Sequence, residues 1–213
     1  MKKQFYLLSA GLLLVCIAHA QLKKGDILLG GNVNFYDAHS TTGGTNEINK
    51  QTSYSLMPSI GRAVKDGLVV GFSLTYSHNK YITGGTPRSV NVSDTYGLGV
   101  FARKYKILGA GFALFGEGSL GGQYTPANNY TEGYPKPPAT KTYSILAGFY
   151  PGIAYFISPH VQLETGIQNL AYMQYQHANY GQSPNATKSH YFQVGTNFSQ
   201  ALQNFVIGIK WVI

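Results

Sequence analysis

Four charged side chains lie on the polar faces of predicted strands, where most of their neighbours are small or polar. They are Arg103, Glu117, Glu164 and Lys210. Charges inside a protein are costly unless they are paired, and here two acids could pair with two bases across neighbouring strands. The sequence leaves three uses open: a structural ion cluster that fills the interior, a gate or proton path, and a catalytic acid or base. We predict the structural cluster.

A second group of residues could carry hydrolytic or acyl-transfer chemistry near one end of the strands. Its members are Ser77, His78, Asp94, His177 and His190. The sequence fixes no pairing among them, and the histidine spacing matches no metal-ligand pattern. We therefore predict that the protein is not an enzyme and holds no cofactor or metal. A lipid-modifying hydrolase or acyltransferase stays as an alternative.

The elements that must position these side chains are strands. Apolar residues alternate with small or polar ones through eight segments, and a period of two is typical of a β-strand. The segments are 26–36, 53–63, 68–78, 93–106, 110–124, 142–156, 161–173 and 205–213. Pro58 and Pro151 predict local bulges, because proline cannot donate to a ladder. Segment 190–199 alternates out of phase with the last strand, so it is either an extension joined through a bend at 200–203 or a separate strand.

The composition indicates which face of these strands points inward. Only 11% of residues are charged, while 26 are glycine and 17 are tyrosine. No apolar run is long enough for a membrane-spanning helix, whereas a closed barrel pairs every backbone group within the protein. The interior of an eight-stranded barrel has room for side chains only, which suits the glycine-rich face. We predict an all-β chain, an eight-stranded antiparallel up-and-down transmembrane β-barrel, with a soluble β-sandwich as the alternative.

Long and short connections alternate along the chain. The long ones are 38–52, 79–92, 125–141 and 174–189, and the short ones are 64–67, 107–109 and 157–160. Outer-membrane barrels keep short turns on the periplasmic side and long loops outside, with aromatic girdles at both interfaces. The alternation therefore predicts that both termini are periplasmic.

The first 20 residues have the features of an export signal. Lys2 and Lys3 precede an apolar stretch at 7–17, and an A-H-A cleavage site follows at 18–20. This predicts a cleaved signal peptide at 1–20 and one barrel domain at 21–213. The single cysteine, Cys16, lies inside that signal, so the predicted mature chain has no disulfide.

Four stretches carry a likeness to a known family: PSIGRAVKDGLVVGFSLTY, GVFARKYKILGAGFALFGEGSLGG, PGIAYFISPHVQLETGIQNLAY and FVIGIKWVI. The chain resembles the small outer-membrane β-barrel family of the OmpX, Ail and OmpA-transmembrane-domain kind. That resemblance implies an eight-stranded barrel in the outer membrane of a Gram-negative bacterium and no shared catalytic motif. The chain departs from the family at its end, where Ile213 replaces the Phe or Trp that the barrel-assembly machinery usually reads.

The chain is basic, with a formal charge of +8, and this indicates which partners it could bind. Basic residues in or beside the long loops could meet lipopolysaccharide phosphates, or could be a solvated surface: Lys80, Arg88, Lys136, Lys141 and Lys188. Nucleic acid is excluded as a partner because the basic residues are spread out and the chain is exported. We predict a monomeric, non-enzymatic envelope protein with a structural role or a loop-mediated ligand, with stretch 124–138 as contact loop. A narrow pore or transport accessory is the alternative.

Overall fold

The computed structural model describes residues 22–42, 47–180, 187–198 and 205–213. It contains β1 (Ile27–Thr42), β2 (Glu47–Lys65), β3 (Leu68–Gly84), β4 (Ser89–Gly109), β5 (Phe112–Thr131), β6 (Thr140–Phe156), β7 (Val161–Ile167), β8 (Ala171–Tyr180), β9 (Thr187–Thr196) and β10 (Phe205–Val212). Within these ranges no helix is long and apolar enough to cross a membrane. The predicted signal peptide, with Cys16, lies outside the described residues.

The ten segments form eight long strands. β7 and β8 both pair with β6, at its two ends, so they are the halves of one interrupted strand. β10 pairs with β7 and β9 pairs with β8, so they are the halves of the next strand. The described part of segment 190–199 therefore belongs to the last strand and does not add a ninth. The bend predicted at 200–203 lies outside the described residues.

Antiparallel pairing between neighbours closes these strands into a barrel. β1 to β6 pair in sequence order, and β10 returns to β1. This confirms the predicted eight-stranded antiparallel up-and-down barrel. The closing seam is short: β1 meets β10 from Leu28–Val212 to Gly31–Ile209, whereas β1 meets β2 from Ile27–Arg62 to Thr42–Glu47. Among the described pairings, the outer part of β1 and β9 do not pair with each other.

The apolar face of the strands points outward, as predicted. Leu98 is 60% exposed and Ile207 is 69% exposed, while Glu164 is 2% exposed. A protein dissolved in water places its large apolar side chains the other way round. The soluble sandwich is therefore excluded.

The strands are longer than predicted at one end of the barrel. β2 begins at Glu47 and β5 runs to Thr131, so the predicted loops 38–52 and 125–141 are largely paired strand. The apolar alternation stops where the wall leaves the apolar band, but backbone pairing continues through threonine, serine and asparagine. The ends are named here the hairpin end, with these extensions, and the turn end, which holds the short turns and Ile213.

The bulge predicted at Pro58 is wrong. The register between β2 and β3 is the same on both sides of it, from Leu56–Tyr76 to Ser59–Ser73, so only ladder bonds are lost. At Pro151 the irregularity lies in the partner strand. Pairing with β6 shifts by two residues between Gly166 and Ala171, where the chain makes a turn with Asn169 at positive φ.

Candidate functional site

The barrel wall brings the four predicted charges together in the turn-end half of the lumen. Arg103 on β4 lies directly opposite Glu117 on β5. Glu164 on β7 lies opposite Gly208 on β10, one inward position from Lys210. We call these four residues the ionic cluster.

Arg103 is the centre of the ionic cluster. Its Nε donates to Glu117 Oε2 at 2.8 Å, and its Nη1 donates to Glu164 Oε2. The same Nη1 also donates to the Tyr105 hydroxyl at 3.2 Å. β4 and β7 are separated around the wall by β5 and β6, so the guanidinium group joins strands that share no backbone ladder. Since Arg103 is only 1% exposed, its charge depends on these partners.

Lys210 joins the ionic cluster to the closing seam. Its Nζ lies 3.6 Å from Glu164 Oε1 and donates to Ser59 Oγ at 3.2 Å. Gln162 Nε2 donates to Glu164 Oε2 at 3.2 Å. Two bases and two acids leave the cluster with no formal charge, and its contacts tie β10 to β2 and to β7. The cluster therefore fixes the relative position of strands that meet across the seam.

Aromatic rings surround the guanidinium group. The Arg103 Cζ atom lies 4.3 Å from the Phe115 ring centroid and 5.6 Å from that of Tyr150. Phe115 and Tyr150 themselves pack edge to face at 5.0 Å. Stacking of this kind adds a cation–π attraction that is strong in a desolvated site. The rings also leave little space beside the charge.

Glycine provides the room for these rings. A Cβ atom at Gly71 would lie 2.6 Å from the Gly61 Cα and 2.7 Å from the tip of the Phe101 ring. No side chain fits at such distances without displacing the ring or the backbone. The inward glycines are therefore needed so that large side chains from the facing wall can fill the lumen.

An apolar layer closes the turn end below the ionic cluster. Its buried side chains include Leu28, Val69, Tyr105, Ala113, Phe156 and Val212. The segment before β1 folds across this end, where Leu22 is 2% exposed. Its carbonyl oxygen accepts from Gly67 N at 3.0 Å, and Gly25 N donates to Ala63 O at 2.8 Å. We call this layer, with Leu22, the apolar plug.

A polar cavity of about 200 Å³ lies on the hairpin-end side of the ionic cluster. Hydroxyl and amide side chains line it: Asn32, Ser59, Ser73, Thr75, Ser119 and Gln123. Arg103, Glu164 and Lys210 also face it. The lumen is therefore divided into a small polar space above and a packed barrier below.

The predicted histidine group does not form one site. His78 and Asp94 are cross-strand partners on the outer wall, with Nδ1 2.8 Å from Oδ1. Ser77 points from the same strand to the opposite face, so it cannot join them. His177 and His190 face each other on β8 and β9, with ring centroids 4.5 Å apart. These five residues therefore assemble no nucleophile with a base.

The His78–Asp94 pair lies at the wall surface, and we expect little stability from it. Asp94→Asn should change the free energy of unfolding by about 0–1 kcal/mol, because the pair is half-buried at the wall surface, where such contacts contribute little. Urea titration of the barrel in detergent micelles measures this change, with Asp37→Asn, which removes another acid of the outer wall, as the control of equal size. A loss above about 3 kcal/mol would show that the pair is a buried structural element.

The predicted phosphate contacts are distributed over several sides of the hairpin end. Lys80 lies on the outer face of β3, while Lys141 on β6 and Lys188 on β9 lie on the outer face of the opposite wall. Lys136 lies in the β5–β6 connection with its Nζ 4.5 Å from the Tyr130 ring centroid. Arg88 precedes β4, and its carbonyl oxygen accepts from Glu132 N at 2.8 Å.

Sequence reasoning missed several members of the lumen site. Tyr105 and Gln162 bond to the ionic cluster and to each other, with Gln162 Nε2 donating to the Tyr105 hydroxyl at 3.1 Å. Tyr105 lies on the same face of β4 as Arg103, and Gln162 lies on the same face of β7 as Glu164. This shared inward face is the sequence signal that could have identified both residues. Leu22 had no such signal, because it precedes the first strand.

No protein-family model matches the chain, and no curated protein is significantly similar to it. Among solved structures, the outer membrane protein OprG from Pseudomonas aeruginosa is similar with a TM-score of 0.42 and 13% identity. The alignment covers 91% of this chain and 98% of that one. A likeness of this size does not establish a fold, which follows here from the strand pairing.

The closed wall, the outward apolar face and the filled lumen together define a small transmembrane β-barrel of the outer-membrane type. Only such a barrel satisfies its backbone while it exposes apolar side chains all round. The narrower likeness to the OmpX, Ail and OmpA-transmembrane-domain kind stays a prediction.

Proposed function

We propose that this chain is a non-enzymatic integral protein of the bacterial outer membrane with a structural role in the envelope or a surface-contact role. The observation that supports this best is the barrier in the lumen. The ionic cluster lies directly against the apolar plug, so a polar solute would have to separate Arg103 from two carboxylates before it met an apolar layer. Such a lumen suits a barrel that works through its wall and its hairpins.

In this proposal the turn end faces the periplasm and the hairpin end faces the outside. The backbone of Ile27 bonds that of Ile213 at the turn end, which places the start of β1 beside the end of the chain. The hairpin end carries the extended β-hairpins, and Tyr134 in the β5–β6 connection is 65% exposed. That connection, within stretch 124–138, is the proposed contact loop for an extracellular ligand, since a rigid aromatic side chain gives contact area at low entropic cost.

The proposed partners follow from the same orientation. The outer wall contacts lipid, the basic residues of the hairpin end contact lipopolysaccharide phosphates, and the barrel-assembly machinery inserts the chain. The barrel closes without a second copy, which favours a monomer. The ionic cluster is proposed as a structural element, not as a gate or proton path. The lipid-modifying alternative has no support from Ser77 and His78, because the two side chains lie on opposite faces of β3.

Planar-bilayer recording tests the closed lumen. We expect the full chain to give no steady conductance, whereas Arg103→Ala/Phe115→Ala/Phe156→Ala, which removes the guanidinium, the ring stacked on it and a ring of the apolar plug, should give a small ohmic channel. The variant shows that the assay detects an opened barrel, and its gel mobility before and after boiling shows that it is folded. A steady channel from the unmodified protein would establish the narrow-pore alternative instead.

Cell fractionation tests the location separately. We expect the protein in the outer-membrane fraction, with a gel mobility that changes on boiling because a folded barrel resists detergent. Recovery in the soluble periplasmic fraction would contradict the proposal whatever the conductance result.

A further inference from the structure

The outer wall formed by β6, β8 and β9 carries an ordered gradient of side chains at the hairpin end. The uppermost cross-strand row is Lys141, Asn179 and Lys188, and the next row is Tyr143, His177 and His190. The third row is Ile145, Tyr175 and Phe192. The wall thus passes from ammonium groups through imidazoles and a phenol to apolar side chains. We call the first two rows the basic face.

The rows of the basic face contain one acid, Asp94, which lies two strands from Lys141 across β5. From 133 to the end of the chain the sequence contains one acidic residue, Glu164, and that side chain is buried in the lumen. Asp94 Oδ1 lies 2.8 Å from His78 Nδ1, so that carboxylate already has a partner on β3, on the side away from the basic face. The two lysines are both exposed, so their charge is not neutralised within the described chain.

Two side chains of the basic face have unused hydrogen-bonding atoms. His177 Nδ1 and Asn179 Oδ1 are both buried and have no partner among the described residues. His190 is held by its own bond, 2.8 Å between its Nδ1 and the Tyr175 hydroxyl, which leaves its Nε2 free for an outside partner. Since the buried atoms of Asn179 and His177 are Oδ1 and Nδ1, the Asn179 NH₂ group and the His177 Nε2 atom are the ones left for an outside partner. Donors and positive charge therefore converge on one spot.

The size of the spot fits one phosphate group. Neighbouring strands lie about 4.8 Å apart, so Lys141 and Lys188 stand about 10 Å apart with Asn179 between them. Two flexible ammonium groups at that separation can both reach an anion placed above the amide. The aromatic and apolar rows below this spot can contact the acyl chains of a lipid. A free phosphate has no apolar part that could contact them.

We propose that the basic face is a binding site for a phosphate-bearing lipid headgroup, with Lys141 and Lys188 as the charged ligands and His177, His190 and Asn179 as hydrogen-bond donors. This inference rests on the proposed function, because it requires the outer wall to meet lipid. The inference reduces the five predicted phosphate contacts to two, Lys141 and Lys188. On the opposite wall, Asp37 shares the row of Lys80, and Asp94 bonds to His78 in the next row, so two acids offset the lysines there.

Native mass spectrometry of the delipidated full-length protein in detergent with a chelator tests the site. The probes are diphosphorylated lipid A, its dephosphorylated form and inorganic phosphate. A lysine near an anionic lipid surface contributes about fivefold in affinity, so Lys141→Gln/Lys188→Gln should bind the phosphorylated lipid about 25-fold more weakly. Lys104→Gln/Lys106→Gln, a pair of exposed lysines on β4 at the turn end, should change binding by less than about twofold.

The outcomes separate the source of the phosphate and the cause of any failure. Equal losses in the two double variants would mean diffuse attraction and overturn the site. Equal binding of the dephosphorylated lipid would overturn the role of phosphate, and full competition by inorganic phosphate would overturn the lipid source. Boiling-dependent gel mobility of each variant, with the conductance of the unmodified protein, reports separately on the fold and on the proposed function.

Discussion

Replacing Arg103 with methionine should lower the free energy of unfolding by about 3–5 kcal/mol. Methionine has a similar reach but removes the charge that separates Glu117 from Glu164, and a buried acid without its partner carries an uncompensated desolvation cost. It also removes the bonds that join β4 to β7 through the lumen. Urea or guanidinium titration in lipid vesicles, followed by the fluorescence of Trp211, the single tryptophan, measures the change.

A rescue variant separates the loss of charge balance from the loss of packing. Arg103→Met/Glu117→Gln/Glu164→Gln leaves no unpaired charge beyond Lys210, and we expect it to recover at least half of the stability lost in Arg103→Met. Stability of Arg103→Met within about 0.5 kcal/mol of the unmodified protein would show that solvent in the cavity already screens the acids. The ionic cluster would then be a feature of the lumen without a structural role.

Arginine at position 100 should cost about 2–4 kcal/mol of stability in lipid. Val100 is 47% exposed and lies in an outer row with Phe72 and Leu120, two outer rows from the tyrosine row toward the hairpin end. An exposed valine on a protein in water accepts arginine at almost no cost. The substitution therefore measures which solvent the outer wall meets.

The control for this substitution is the same residue placed at the edge of the apolar band. Val64 is 39% exposed on the outer face of β2 near the turn end, and Val64→Arg should cost about 0–1 kcal/mol because the side chain can extend to water. Equal effects at the two positions would contradict the depth dependence that a membrane imposes. Both values come from the titration used for Arg103→Met.

The strand number, the direction of the apolar face and the shape of the closed sheet could be predicted from the sequence. Each depends on a period of two that is visible in one strand at a time, as in Val70, Phe72 and Leu74. The outer boundaries of the strands could not be predicted, because paired backbone above the apolar band carries threonine and asparagine, as loops do. The bulge expected at Pro58 was wrong because an ordinary ladder can lose a donor without changing register.

The residues of the ionic cluster could be predicted from the sequence, but most of the contacts between them could not. Arg103 and Glu117 lie on the inward faces of two consecutive strands, and hairpin geometry alone predicts that they face each other. The contact between Arg103 and Glu164 depends on the diameter of the barrel and on which rings fill it, and no local pattern contains either. The basic face lies in the same category, because its rows appear only after β8 and β9 are set in register.

The short seam between β1 and β10 has a consequence for the order of events in this protein. Few backbone bonds close the ring there, and Lys210 on β10 bonds across it to Ser59 on β2. Those bonds can form only after β10 has been made and delivered, so closure of the ring follows the synthesis of every other described strand. On heating, the same bonds are the ones whose release would turn the cylinder back into an open ribbon.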